Sequence, residues 1–276
     1  MRKTFIIIIS CFTAFAATAA KVDTVNIYSA AMQKHISCVV ITPDTYSKNA
    51  RKFPVLYLLH GHGGSFREWV IKAPDLIKSV DETGMIVVCP DGGKASWYLD
   101  APQLPESKYE THVAKEVTNY IDKNYRTIQN RSGRAIAGLS MGGHGAMYLA
   151  IKHKEVYGAC VALSAGVDFT PFPNNWGLPL LLGEYASNKN RWVAHTVQHL
   201  AHTALAGNEL QIAIDCGVDD FFIGVNRILH QTLNELKIAH DYTERPGKHD
   251  WNYWNNAIGY QMYYLKKYFD KNNHKN

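Results

Sequence analysis

The 276-residue chain has no internal repeat, no low-complexity tract and no Pro/Gly/Ser-rich linker. That argues against a solenoid, a disordered array or a string of small domains. Cysteine is scarce, five in all, and its spacing matches neither a small disulfide framework nor a zinc site. There is no H-E-x-x-H pair, so metalloprotease chemistry lacks its ligands. Lys and Arg form no clustered run, and the formal net charge is only +5. Nothing here suggests a nucleic-acid partner. The apolar stretch at residues 5–17 is too short, and too rich in Ala and Thr at its end, for a membrane span.

That stretch reads instead as an export signal. Arg2 and Lys3 precede it, and Ala17-Thr18-Ala19 is a small-residue cleavage site. Cleavage after Ala19 or Ala20 makes residues 1–20 a signal peptide and predicts a periplasmic or secreted protein. Stable membrane insertion is not expected once the signal is removed. A lipoprotein signal at Ile8-Ile9-Ser10-Cys11 competes with this reading. It leaves too short an apolar region before Cys11 and an apolar run after it. Residues 21–276 then form one large domain of about 256 residues, within the range of α/β folds. Arg2 and Lys3 account for two of the positive charges, leaving +3 on the mature chain. The four cysteines that remain, Cys38, Cys89, Cys160 and Cys216, each sit in an apolar strand-like run. Export permits pairing, but four buried thiols acting as small hydrophobes is the favoured reading.

Apolar runs and amphipathic stretches alternate along the rest. Residues 24–28 and 35–41 resemble an antiparallel strand pair. Further strands are predicted at 55–60, 85–89, 134–138, 159–164, 210–216 and 240–244. Helices are predicted at 109–125, at 142–153, near 189–205, at 221–236 and at 251–269. Residues 165–185 read as irregular and aromatic-rich. Continuous apolar strands alternating with helices imply a mainly parallel sheet covered on both faces. Ligands in such folds bind beyond the carboxyl ends of the strands.

Gly138-Leu139-Ser140-Met141-Gly142 falls between one of those strands and a helix. A serine at such a turn is a nucleophile elbow. The sharp backbone bend needs small neighbours, and it lifts the hydroxyl above the sheet edge. A serine hydroxyl needs a base. In this fold the order is Ser, acid, His. Of the later histidines, His230 lies mid-helix, His240 opens a strand and His274 sits in a polar tail. Only His249 occupies a loop after the last strand, and it is predicted to be the base. Asp219 and Asp220 both follow the strand at 210–216. Asp220 is the preferred acid, holding the His249 tautomer, while the other aspartate could cap the next helix. The oxyanion hole requires two backbone N–H donors. Met141 supplies one, and the glycine-rich loop His60-Gly61-His62-Gly63-Gly64 supplies the other at His62. Metal ligation by His60 and His62 is the rival reading, disfavoured by the surrounding glycines. His195, His199 and His202 fall at helical spacing and read as a polar helix face rather than a metal site.

These segments resemble the esterase D-type putative esterase family of α/β-hydrolases. That family includes S-formylglutathione hydrolases, tributyrin-type esterases, mycolyltransferases, and feruloyl and acetyl xylan esterases. The likeness rests on Leu58-Leu59-His60-Gly61-His62-Gly63-Gly64, Pro90-Asp91-Gly92, Ser96-Trp97-Tyr98, G-L-S-M-G-G-H-G-A from Gly138, Cys216 to Asp220, and Gly247 to Trp254. It spans nearly the whole mature chain in the family's order. The resemblance implies an α/β-hydrolase fold and ester hydrolysis through Ser140, His249 and Asp220, without metal or organic cofactor. It supports the acid three residues after Gly217 and the two oxyanion donors. Lys248 and His112 depart from the pattern.

A carbohydrate-linked acyl ester, feruloyl or acetyl, is the expected substrate, small or oligosaccharide. A general short-chain esterase and an acyltransferase to a sugar alcohol are the alternatives. A non-catalytic binding module has no reason to retain all three triad residue types in order. Trp97 is predicted to wall the substrate pocket, with Trp251 beside it. Trp254, three residues on, could equally anchor the closing helix in the core.

Overall fold

The computed structural model describes residues 20–207 and 209–273. Apart from Ala20, the segment predicted as a signal lies outside them. Eight strands form one sheet: β1 (Lys21–Ser29), β2 (Lys34–Thr42), β3 (Val55–Leu59), β4 (Ile86–Pro90), β5 (Arg134–Leu139), β6 (Ala159–Leu163), β7 (Gln211–Gly217) and β8 (His240–Arg245). Their spatial order is β1-β2-β4-β3-β5-β6-β7-β8. β1 pairs antiparallel with β2, and β2 antiparallel with β4. From β4 to β8 every pairing is parallel. The fold is an α/β-hydrolase fold with an N-terminal antiparallel pair.

The strand sequences explain this placement. β3 reads V-L-Y-L-L and β5 R-A-I-A-G-L, and every residue of both is buried. A strand apolar on both sides needs cover on both faces. One face carries the helices Met141–Lys152 and Ile223–Glu235 together with the 109–124 segment. The other carries Leu76–Thr83 and the C-terminal helix Trp251–Asn273, which buries Trp254, Ala257, Ile258, Met262, Leu265 and Phe269. No helix among the described residues is long and apolar enough to cross a membrane.

Several elements differ from their predicted form. The 109–125 helix is interrupted by a π-helical turn at His112–Val117. There His112 Nδ1 lies 2.9 Å from Glu116 Oε2, and the Thr118 hydroxyl bonds the Ala114 carbonyl at 2.8 Å. The 189–205 helix is two helices, Tyr185–Ala194 and Val197–Ala204. Thr196 starts the second by accepting the His199 N–H at 3.1 Å. His195, His199 and His202 therefore do not share one helix face. Cys38, Cys89, Cys160 and Cys216 are all buried free thiols. Burial pushes the Cys160 thiol up to about 12, so it stays protonated and unreactive.

Candidate active site

β5 ends by turning into the helix Met141–Lys152 at Ser140, whose φ is 56° and ψ −117°. A positive φ of this kind is rare for a residue with a side chain. It is held by the Ser140 N–H on the Leu163 carbonyl at 2.9 Å and by the His144 N–H on the Ser140 carbonyl at 3.0 Å. Only Gly fits at 142, because a Cβ there would stand 2.5 Å from the His60 carbonyl oxygen. That contact brings the 60–64 loop directly over the elbow.

The last two strands deliver two more groups. The β7 loop carries Asp220 and the β8 loop carries His249. His249 Nε2 lies 3.0 Å from Ser140 Oγ, and its Nδ1 lies 2.9 and 3.0 Å from the Asp220 carboxylate oxygens. An ionised carboxylate only accepts, so Nδ1 carries the hydrogen and Nε2 presents its lone pair to the serine hydroxyl. The Asp220 side chain is fully buried, and its Oδ1 also accepts the Phe222 N–H at 2.8 Å. Asp219 is exposed, and its N–H bonds the Gly247 carbonyl at 3.0 Å. Neither aspartate N-caps the next helix, whose cap residue is Phe222, with no side-chain bond.

The N–H groups of His62 and Met141 have no hydrogen-bond partner among the described residues. Met141 opens its helix, so no preceding turn offers a carbonyl. The His62 loop is fastened from both sides. His60 Nδ1 donates to the Gly61 carbonyl at 2.8 Å, and Nε2 accepts the Gly92 N–H at 2.8 Å. Both ring nitrogens are thus committed, which leaves no lone pair for a metal. Burial holds the His60 imidazole below its ordinary range. Tyr98 Oη donates to the His60 carbonyl at 3.1 Å, and the Gly63 N–H bonds the Lys94 carbonyl at 2.7 Å. The Pro90-Asp91-Gly92 and Ser96-Trp97-Tyr98 segments thus brace this loop.

A cavity of about 480 Å³ opens over Ser140. Its walls include His62, Trp176, Phe221, His249, Trp251 and Trp254. Trp251 stands there, edge-on to Trp69 and Trp254. Trp97 does not line it. That side chain is 1% exposed and packs beneath Trp176, against His144 and Phe169. Its Nε1–H donates to the Trp176 carbonyl at 3.3 Å. The 169–177 segment folds back over Trp97, so Trp176 takes the wall and Trp97 becomes its support. Phe221 went unread in the sequence. It follows Asp220 directly, and its ring centre lies 4.2 Å from that of His249. A larger cleft, about 730 Å³, is lined by Lys21, Tyr46, Lys48 and Arg126. It lies at the opposite pole of the sheet and holds no paired nucleophile and base.

Residues 29–262 match the Esterase family model, described as Putative esterase. The chain belongs to this family. Its relatives include an acetyl esterase of Caldicellulosiruptor saccharolyticus, 28% identical over 267 residues, 89% of this chain and 98% of that one. An S-formylglutathione hydrolase of Bos taurus is 28% identical over 64% of this chain and 68% of its own. Among solved structures, a ferulic acid esterase superposes with a TM-score of 0.76 at 28% identity, covering 91% of this chain and 99% of that one. The chain is a serine esterase, a carboxylic ester hydrolase.

Proposed function

We propose that this esterase is exported and cleaves acyl groups, feruloyl or acetyl, from carbohydrate through a Ser140–His249–Asp220 triad. One observation carries the reading: His249 bridges the Ser140 hydroxyl and the Asp220 carboxylate at 3.0 and 2.9 Å on the cavity floor. His249 Nε2 takes the serine proton as Oγ attacks the ester carbonyl. Asp220 stabilises the imidazolium that results. The N–H groups of His62 and Met141 receive the oxyanion. His249 then protonates the leaving alcohol, and a water deprotonated by the same nitrogen releases the acid. No step calls for a metal or organic cofactor.

Substrate class rests on the walls. Trp176 and Phe221 lie nearly parallel, ring centres 5.9 Å apart at 18°. Such faces suit an aromatic acyl group or a sugar ring. The names of the acetyl esterase and ferulic acid esterase relatives point the same way. Export is read from the basic start, apolar stretch and small-residue Ala17-Thr18-Ala19 site of residues 1–20.

Ser140→Ala is expected to lose ester hydrolysis by several orders of magnitude in kcat with an unchanged circular dichroism spectrum. Acetylated and feruloylated xylo-oligosaccharides and p-nitrophenyl acetate are the substrates to compare. Near-normal turnover by the folded variant would refute the triad. Product analysis with an added sugar alcohol separates hydrolysis from acyl transfer.

A further inference from the structure

Five residues before Asp220 stands a second carboxylate, Asp215, wholly buried at the end of β7. It touches neither Ser140 nor His249, and the reaction outlined above does not use it. Three donors converge on it. Tyr253 Oη donates to Oδ1 at 2.5 Å and Gln261 Nε2 to Oδ2 at 2.7 Å. Arg245 Nη1 forms an ion pair with Oδ2. Tyr253 lies four residues after His249, and Arg245 four before it.

The two segments that carry acid and base are therefore cross-linked through Asp215 to residues on both sides of His249. Between them run two backbone bonds, Val218 N–H to the Arg245 carbonyl at 2.9 Å and Asp219 N–H to the Gly247 carbonyl at 3.0 Å. Gly247 has φ +148°, and the Tyr253 ring packs where a side chain would project. The result is a closed frame. One long side runs from Asp215 to Asp220 and the other from Arg245 to Tyr253, with the Asp220–His249 bond as its outermost rung. A carboxylate buried this deeply is costly unless fully answered by donors, and here each oxygen is.

We infer that Asp215, Arg245 and Tyr253 are positioning residues that fix the Asp220–His249 distance. The inference rests on the proposed triad. A small displacement of a base costs rate out of proportion to its size, so a rigid brace behind the pair acts on kcat rather than on substrate binding.

Tyr253→Phe keeps the ring against Gly247 and removes only the hydroxyl. Asp215→Asn removes the charge that Arg245 answers; Tyr253→Phe tests the frame even where Asp215→Asn fails to fold. The control is Tyr268→Phe, on the same helix, whose hydroxyl bonds the Arg131 carbonyl away from the frame. The direct readout is the far-downfield proton resonance of His249 Nδ1–H in the Asp220 bond. Tyr253→Phe is expected to shift or broaden it and to lower kcat about tenfold, leaving KM for p-nitrophenyl acetate within about twofold. Tyr268→Phe is expected to change neither. An unmoved resonance, or an unchanged kcat, in Tyr253→Phe overturns the inference. The resonance needs no substrate. Absence of esterase activity in the wild type would refute the hydrolytic triad while the frame remained testable.

Discussion

Two adjacent aspartates with different fates are a sharp test at the scale of single residues. Asp220 is buried and accepts from both His249 and the Phe222 N–H, whereas Asp219 points to solvent. Asp220→Asn is expected to favour the wrong His249 tautomer and to lower kcat by up to ~10⁴-fold. Asp219→Asn should leave kcat intact and stability within about 0.5 kcal/mol, as for other exposed positions. Steady-state kinetics and melting of the two variants check this. His144 gives a second test. It is buried in the elbow helix, its Nε2–H donates to the His195 carbonyl at 2.9 Å, and burial pushes its pKa from the ordinary 6.5 down to about 4. Between those values the unfolded chain binds the proton and the folded chain does not. Stability is therefore full above about 6.5 and is lost as pH falls toward 4, by on the order of 3 kcal/mol. His60, also lowered by burial, adds to the loss with the same sign. Urea titrations from pH 7 to 4 should show this slope, and His144→Gln should flatten it. The convergence of Ser140, His249 and Asp220 could be read from chain order and loop placement. The burial of Trp97 could not, because Trp176, which covers it, lies 79 residues away.

Elements succeed or fail here by how closely they approach. Gly142→Ala would drive a methyl group against the Leu59 and His60 carbonyls, 2.6 and 2.5 Å from it. Strand β3 and the elbow helix would have to separate. The expected cost is about 1–3 kcal/mol of stability, with a fall in kcat as the His62 N–H leaves the serine. Calorimetry and kinetics on the variant test both parts. Parallel strands β3, β4 and β6 were legible because each is a short, unbroken apolar run. The short helices Glu68–Lys72 and Leu178–Leu182 were not, since five residues cannot display a helical period. The break at 195–196 carried a signal that was passed over, a threonine three residues before His199, which is an N-cap arrangement.

For the molecule as a whole, the cavity over Ser140 is a meeting of distant segments. Trp176 comes from the loop after β6, Phe221 from the loop after β7, and Trp251 from the start of the last helix. Which of these rings meet across the cavity is not readable from local pattern. Phe221, 52% exposed, overhangs His249. Phe221→Ala is expected to raise KM for feruloyl esters several-fold while leaving acetyl esters nearly unchanged, since a bulky apolar contact contributes about 1–2 kcal/mol. Equal effects on both esters would show that Phe221 does not discriminate the acyl group.

The sheet's order also has a consequence in time. From β5 to β8 each strand is added beside the one made before it, moving outward from the centre. In the proposed triad the nucleophile is therefore synthesised 109 residues ahead of its base. A nascent chain can build most of the sheet and display Ser140 on its bend, yet have nothing to take the proton. On that triad, hydrolytic power arrives only with the closing stretch of polymer. A half-made copy is chemically silent, and ester turnover reports that the last segment has been made and seated.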